Sequence, residues 1–195
     1  MSLRANETEV KFRVSSFLPF RKILKEKGGK FCGKVFERNY FFDTREKDLR
    51  KKGFLLRLRK GFKNTITFKE KVKNKKFLEA KEIEIEISNL EKMKEILQKL
   101  GFDIIMIMEK YREEWKLGKT EILFDTLPMG KFIEIEGKKK QIKRVAKMLG
   151  LKFEERIIKN YRELWEEFCK EKGIKDENIT FASIKKLKYK ISEDF

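Results

Sequence analysis

The sequence predicts an α+β fold in which eight antiparallel strands close into a barrel and helices pack on its outside. Three observations support this prediction. About eight segments have strand character and about four have helical spacing. The two halves of the chain share one order: a strand, a helix, then an antiparallel run of strands. Charged side chains recur at every second position, so they share a face that an eight-stranded barrel can turn inward around one small ligand.

The first half of the chain alternates strand and helix signals. Its predicted strands span residues 7–14, 31–42, 54–59, 65–70 and 78–87. The spacing of apolar residues predicts a helix from Phe17 to Lys27, and Gly28 ends it. A polar connector covers residues 43–53, and Gly61 lies in the turn between the third and fourth strands.

The strand over residues 78–87 leads into the second half, whose helix is capped by Asn89 and ends at Gly101. Its predicted strands span residues 104–117, 120–127 and 131–137, with glycine-containing turns between them. Helices over residues 141–149 and 159–172 complete the pattern of elements.

The domain organisation follows from the lack of any linker-like or low-complexity boundary in the sequence. We predict one domain over residues 5–172 and a basic tail over residues 173–195. Three roles remain open for this tail: a lid over the ligand site, a helix in a dimer contact, or a frayed end. Its cations are Lys185, Lys186, Lys188 and Lys190.

The composition indicates a folded protein with an anionic partner. The chain has 195 residues, of which 40% are hydrophobic, and it contains 18 Phe, which argues against disorder. The formal net charge is +18. Nucleic acid, polyphosphate, a nucleotide and an acidic membrane surface all fit this charge, and composition alone does not choose among them.

Several kinds of chemistry are excluded by residue type. The chain has no histidine, so it cannot use a Ser-His-Asp triad, a Cys-His pair or a histidine-ligated zinc. The spacing of Cys32 and Cys169 does not match a metal site. We predict that both are ordinary thiols in a reducing cytoplasm. The polar start predicts no signal peptide, and the apolar run over residues 104–108 is too short to cross a membrane.

The charged strand positions carry both signs. Glu7, Glu9 and Lys11 share one face of the first strand because they are two residues apart. The same spacing recurs in four further sets, which are Arg57 with Arg59, Glu82 with Glu84 and Glu86, Lys110 with Arg112, and Glu134 with Glu136. A solvent-exposed sheet face can also alternate apolar and charged residues, but unbroken sets of one sign, set among large apolar residues, favour an inward face.

An inward face with both signs fits a metal-bound polyphosphate. Arginine forks and lysines bind phosphate oxygens, and carboxylates hold Mg²⁺ or Mn²⁺ that bridges to the same phosphates. A plain nucleic-acid groove would need the cations without the rows of carboxylates, so nucleic acid is not the expected partner.

These motifs resemble those of the CYTH proteins, also called triphosphate tunnel metalloenzymes. This superfamily includes class IV adenylyl cyclases, thiamine triphosphatases and inorganic triphosphatases. The resemblance covers roughly residues 5–170. It rests on Glu7-x-Glu9-x-Lys11, Arg57-x-Arg59, Lys69, the Glu82 row, Glu109-Lys110-Tyr111-Arg112, Asp125, and the segment from Gly130 to Glu136, in that order.

The resemblance implies a role for each of these positions. The implied metal ligands are Glu7, Glu9, Asp125, Glu134 and Glu136, with Mg²⁺ or Mn²⁺ as the cofactor. The implied triphosphate-binding cations are Lys11, Arg57, Arg59, Lys69, Lys110 and Arg112. Those cations form the expected catalytic set together with Glu7 and Glu9. Glu82 and Glu84 either orient cations, bind a second metal or form an internal salt bridge.

The segment Lys159–Leu164 resembles the Ser-Tyr-Arg-x-Leu ending of class IV adenylyl cyclases, with Asn160 in place of the serine. This favours the conversion of ATP to cyclic AMP and pyrophosphate. Hydrolysis of a triphosphate, such as thiamine triphosphate or tripolyphosphate, is the main alternative. Non-catalytic binding of polyphosphate or nucleic acid is a third. A homodimer is compatible with the sequence, and the expected location is the cytoplasm.

Overall fold

The structure is a computed structural model that describes residues 7–185. Its strands are β1 (Glu7–Val14), β2 (Lys30–Asp43), β3 (Phe54–Lys60), β4 (Thr65–Val72), β5 (Leu78–Glu86), β6 (Asp103–Leu117), β7 (Thr120–Leu127) and β8 (Gly130–Glu136). Its helices are α1 (Leu18–Glu26), α2 (Asp48–Lys51), α3 (Leu90–Lys99), α4 (Lys139–Met148), α5 (Tyr161–Lys172) and α6 (Phe181–Lys185), with a 3-10 turn at Phe153–Glu155.

The eight strands form a closed antiparallel barrel in the order β1-β5-β4-β3-β2-β6-β7-β8. β1 closes the ring because it pairs with β5 on one side and with β8 on the other. The predicted α+β fold class, with an eight-stranded barrel and helices outside it, is therefore confirmed. Opposite charges face each other across several strand pairs, such as Lys11 with Glu134 and Lys69 with Glu82, which favours this register.

The largest apolar core lies outside the barrel, under α1 and α4. The strand positions that alternate with the charged ones carry large apolar side chains, so the outer face of β1, β7 and β8 is hydrophobic. Full burial of each such side chain contributes about 1.5–3 kcal/mol. The core includes Val10, Phe12, Ile122, Phe124, Ile133 and Ile135 from the strands, Leu24 from α1, and Ile142, Val145 and Ala146 from α4.

A second apolar cluster fills one end of the barrel. Phe41, Met106 and Phe132 belong to the strands of that end, and helix α5 packs on them. Ile179 extends the sheet by one residue, because its N–H donates to the Ile107 carbonyl and its carbonyl accepts from the Glu109 N–H, both at 2.8 Å. The part of the cluster that follows the barrel strands in sequence consists of Tyr161, Leu164, Trp165, Cys169, Ile179 and Ile184.

Two regions differ in detail from the sequence-based expectation. The polar connector contains the short helix α2, which begins where the buried Asp43 carboxylate accepts the backbone N–H groups of Leu49 and Arg50 at 2.9 and 3.0 Å. In the predicted tail, Ile179 and Ile184 are buried in the apolar cluster at the end of the barrel, and Lys186, Lys188 and Lys190 lie outside the described residues. Within residues 7–185, no helix is both long and apolar enough to cross a bilayer.

Candidate active site

All the predicted site residues on the barrel strands lie on its inner face. Three ion pairs demonstrate this because each one reaches over an intervening strand. Lys69 of β4 contacts Glu7 of β1 at 2.5 Å, past β5. Arg57 of β3 contacts Glu84 of β5 at 3.5 Å, past β4, and Arg112 contacts Glu134 past β7. Only side chains that converge in the concave interior can make such contacts.

The cavity has an open end and a closed end. Along β1 the exposed fraction of the side chain falls from 23% at Glu7 to 16% at Glu9 and 2% at Lys11. Asp125, deeper still, is fully buried. The entrance therefore lies at the Glu7 end, and the apolar cluster under α5 closes the other end.

Three carboxylates near the entrance form a candidate metal centre. Glu7, Glu9 and Glu136 each offer one oxygen, and these oxygens all lie within 4.8 Å of one another. Burial, followed by repulsion from Glu134, raises the pKa of Glu9 above its ordinary value. Burial, followed by repulsion from Glu9 and Glu7, raises the pKa of Glu136 well above its ordinary value. Closely spaced carboxylates that repel one another are the donor set that a Mg²⁺ or Mn²⁺ ion stabilises, so these residues fit the implied metal.

Glu134, which the resemblance implies is a metal ligand, is paired with cations. Its carboxylate contacts Lys11 at 3.0 Å and Arg112 at 2.5 Å. Burial opposes the ionised form, but Lys11 and Arg112 outweigh it and hold the pKa of Glu134 well below its ordinary value. Lys11 also pairs with Glu9, so it links Glu134 to the acidic group at the entrance. Glu134 is therefore ionised and sits between the cations and the candidate metal centre.

Asp125, the other implied ligand, lies at the bottom of the cavity among cations. Arg112 donates Nε–H to its Oδ1 at 2.7 Å and Nη2–H to its Oδ2 at 2.6 Å, which is a bidentate pair. Lys110 and the Tyr161 hydroxyl donate to Oδ2 at 2.9 and 3.0 Å. The structure thus places Asp125 apart from the three entrance carboxylates and in contact with two phosphate-binding candidates. Its role as a metal ligand stays a prediction.

The cations of β3 have donor groups available for a ligand. Among the described residues, the buried Nε groups of Arg57 and Arg59 make no hydrogen bond. Burial, followed by repulsion from Arg59, lowers the pKa of Arg57 to about 10. Two like charges so close together would be stabilised by an anion between them. Their unused donors match the oxygens of a phosphate group.

Lys69, Glu82 and Glu84 line the part of the cavity that β4 and β5 form. Lys69 bridges Glu7 and Glu82 at 2.5 and 2.9 Å. Glu84 accepts from the Thr67 hydroxyl at 2.7 Å and contacts Arg59 at 3.7 Å. Of the roles left open for these two glutamates, the contacts correspond to internal salt bridges that orient the cations.

Sequence reasoning missed Glu37, whose side chain is 3% exposed. It lies on β2 directly opposite Lys110, and its carboxylate is 3.6 Å from the Lys110 ammonium and 3.8 Å from Arg59. Burial raises the pKa of Glu37, but Lys110 and the arginines outweigh burial, and the pKa falls to about 2. The sequence did contain a signal, because Glu37, Asn39 and Phe41 alternate along the predicted second strand. In the structure both Glu37 and Asn39 are buried.

Tyr161 was also missed as a site residue, because it does not come from a barrel strand. It is the first residue of α5 and is buried against the floor of the cavity. Burial, followed by repulsion from Asp125, raises the pKa of the Tyr161 phenol well above its ordinary value. Its hydroxyl therefore stays protonated and donates to Asp125. No periodicity in the sequence places a helix residue inside a barrel. The available signal was the segment Lys159–Leu164, which resembles the cyclase ending and contains Tyr161.

Comparison with known proteins identifies the family. The sequence profile of the CYTH domain matches residues 5–164. The chain belongs to the CYTH family. This CYTH chain is 31% identical over 145 residues to a Methanocaldococcus jannaschii protein provisionally named as an adenylate cyclase. The match covers 73% of this chain and 83% of that protein.

Solved structures share the fold of this CYTH chain. A Vibrio parahaemolyticus protein, provisionally named as an adenylate cyclase, has a TM-score of 0.73 at 21% identity, with 82% of this chain and 97% of that chain covered. A Hippeastrum protein, described as an adenylyl cyclase candidate that reveals a dominant triphosphatase activity, has a TM-score of 0.52 at 20% identity. That match covers 86% of this chain and 88% of the Hippeastrum chain. At these identities the likeness concerns the fold alone.

Proposed function

We propose that this protein is a divalent-metal-dependent enzyme that acts on a triphosphate bound in the barrel, most closely a class IV adenylyl cyclase. The observation that carries the proposal is the cavity itself. It is closed at one end, it brings the implied phosphate-binding cations and a three-carboxylate centre together, and it leaves the Nε groups of Arg57 and Arg59 buried without hydrogen bonds within residues 7–185.

In this proposal the cations of the cavity bind the phosphates and the carboxylates hold the metal. Arg57, Arg59 and Lys69 bind the phosphate oxygens and neutralise charge that develops on the leaving group. Glu7, Glu9 and Glu136 would hold the metal, with Glu134 ionised beside them. When bound, Mg²⁺ or Mn²⁺ lowers the pKa of the attacking hydroxyl and offsets phosphate charge.

The reaction is a single displacement at phosphorus. The 3′ oxygen of ATP forms a bond to the α-phosphorus as the bond from that phosphorus to the bridging oxygen of the β-phosphate breaks. Cyclic AMP forms and pyrophosphate leaves with the electron pair of the broken bond. The proton of the hydroxyl passes to solvent, since the chain has no histidine to accept it.

A triphosphate hydrolase is the second candidate function. The Hippeastrum protein with the same fold is described as having a dominant triphosphatase activity. The cavity of this chain would serve both reactions, since the choice depends on which phosphorus lies beside the nucleophile. In the hydrolase, the oxygen of water forms a bond to the terminal phosphorus as the bond from that phosphorus to the bridging oxygen breaks. Orthophosphate and a diphosphate are released.

Product identification tests both functions. The purified protein is incubated with Mg²⁺ or Mn²⁺ and, separately, with ATP, thiamine triphosphate and tripolyphosphate. Cyclic AMP together with pyrophosphate supports the cyclase, and orthophosphate supports the hydrolase. No turnover of any of the three, together with salt-sensitive RNA binding, would identify a binding module instead.

Two further expectations belong to this proposal. The first is a cytoplasmic location, which an ATP substrate and the two free cysteines support. A homodimer is also proposed, and size-exclusion chromatography with light scattering distinguishes it from a monomer.

A further inference from the structure

Tyr161 enters the cavity from outside the barrel. It is the first residue of helix α5, and its side chain is only 7% exposed. The ring meets Phe132 of β8 edge-on, with centroids 5.4 Å apart. Phe132 faces Asp125 across the β7–β8 pair, so Tyr161 lies against the floor of the cavity.

The hydroxyl of Tyr161 completes the contacts of Asp125. It donates to Oδ2 at 3.0 Å, beside the Lys110 and Arg112 donors on the same carboxylate. Asp125 is fully buried, so an acceptor position left empty there would have no solvent to fill it. The hydroxyl therefore fixes the carboxylate that in turn orients the Lys110 ammonium and the Arg112 guanidinium.

The face of the same ring lies beside two ammonium groups. Lys11 Nζ is 5.1 Å and Lys110 Nζ is 5.5 Å from the ring centroid, distances at which the ring attracts a cation. Lys11 belongs to β1 and Lys110 to β6, and two strands separate these in the barrel. One side chain thus contacts two implied phosphate-binding lysines and the carboxylate between them.

Local structure holds Tyr161 in this place. Asn160 and Glu163 form a reciprocal capping box around the first turn of α5. Leu164 and Trp165, in the following turn, are buried in the apolar cluster that closes the barrel. The start of the helix is therefore fixed at both its backbone and its packed face.

We propose that Tyr161 is a positioning residue for the proposed triphosphate chemistry: its ring sets the two lysines of the cavity floor and its hydroxyl sets Asp125. This inference rests on the proposed function. The simpler reading is that Tyr161 only fills space under α5. That reading predicts lost stability without altered kinetics of the folded enzyme.

Two variants separate the hydroxyl from the ring. Tyr161→Phe keeps the ring beside the lysines and removes the donor to Asp125, so we expect kcat to fall roughly tenfold with KM changed less than about twofold. Tyr161→Leu also removes the ring, so we expect KM, and the Kd of Mg²⁺-tripolyphosphate by calorimetry, to rise roughly fivefold further. Tyr40→Phe is the matched control, because Tyr40 has Lys94 at 4.4 Å from its ring and packs in the separate cluster under α3.

The outcomes distinguish this inference from the proposed function. Wild-type kcat, KM and Kd in a folded Tyr161→Phe protein would overturn the positioning role while the function stands. An equal loss in Tyr40→Phe would also overturn it. If Tyr161→Leu does not fold, Tyr161→Phe alone decides. If wild-type protein neither binds nor turns over any triphosphate, both the function and the role of Tyr161 fall.

Discussion

At the scale of single residues, the inner face of the barrel differs in charge from the rest of the chain. The chain has a formal net charge of +18, yet carboxylates outnumber cations among the named cavity residues. Glu9 and Glu136 hold their protons more tightly than ordinary glutamates because they are buried together. A free triphosphate anion would meet these carboxylates at the entrance, so binding should depend on the divalent cation.

The proposed metal requirement is tested with Glu9→Gln. The substitution keeps the shape of the side chain and removes one anionic ligand from the entrance group, so we expect turnover to fall at least about 100-fold. Steady-state rates across a Mg²⁺ titration measure this. Glu86→Gln is the control, because Glu86 is 63% exposed and pairs with Lys63 at the surface. Near wild-type activity in Glu9→Gln would contradict the assignment of the metal centre.

The role of Glu37 is tested through pH. Its pKa is about 2 in the folded protein, below the ordinary 4.5. Its ionised form therefore stabilises the fold above about pH 4.5, and this contribution is lost as pH falls toward 2. We expect Glu37→Gln to reduce the free energy of unfolding by at most about 3 kcal/mol at pH 7, with a smaller difference from wild type below pH 4.5.

Urea unfolding of wild type and Glu37→Gln at pH 7, 5, 4 and 3 measures the difference. Glu46→Gln, at an exposed position of the α2 connector, controls for the loss of one negative charge. A difference between Glu37→Gln and wild type that stays constant over this pH range would show that the ionisation of Glu37 does not contribute.

At the scale of elements, the sequence predicted those whose signal is local. The strands follow from two-residue alternation, and α3 follows from Asn89, whose side chain accepts the Lys92 N–H. Helix α2 was not predicted, because its first turn depends on the Asp43 carboxylate at the end of β2. Asn160 stands where the cyclase motif has a serine, and it caps α5. The difference is compatible with the resemblance, because asparagine caps helices as well as serine does.

The cap of α5 gives a direct test. Asn160→Ala removes the side-chain acceptor for the Glu163 N–H, so we expect a loss of about 1 kcal/mol in the free energy of unfolding. Asn160→Ser restores an acceptor and should stay within about 0.5 kcal/mol of wild type. Urea unfolding measures both variants. Equal losses in the two would mean that the cap does not stabilise α5.

At the scale of the whole molecule, the barrel could be predicted and its closed end could not. The strand count and the inward charged face were readable as patterns along the chain. The filling of one end depends on contacts between Phe41, Phe132 and the distant Trp165 and Ile179, which no local pattern specifies. The same limit applies to Tyr161, which reaches the site only because α5 packs across that end.

Ligand-linked stability is the corresponding whole-molecule prediction. A triphosphate and Mg²⁺ that bind only the folded barrel should add about 2.7 kcal/mol at a ligand concentration of 100 times Kd. For a chain of this size, that raises Tm by roughly 5–10 °C. Differential scanning fluorimetry with tripolyphosphate plus Mg²⁺ measures the shift, with each component alone and orthophosphate plus Mg²⁺ as controls. An unchanged Tm with both components would contradict triphosphate binding in the cavity.

The closed end of the cavity also constrains the order of events in a catalytic cycle. In a cavity with one opening, substrate enters and product leaves by the same route. Incoming substrate therefore cannot displace bound product through the opposite end. Under the proposed function, the product fragment bound deepest in the cavity would have to diffuse back past the entrance carboxylates before another substrate could bind. We therefore expect the polyphosphate product to compete with substrate for the vacant site.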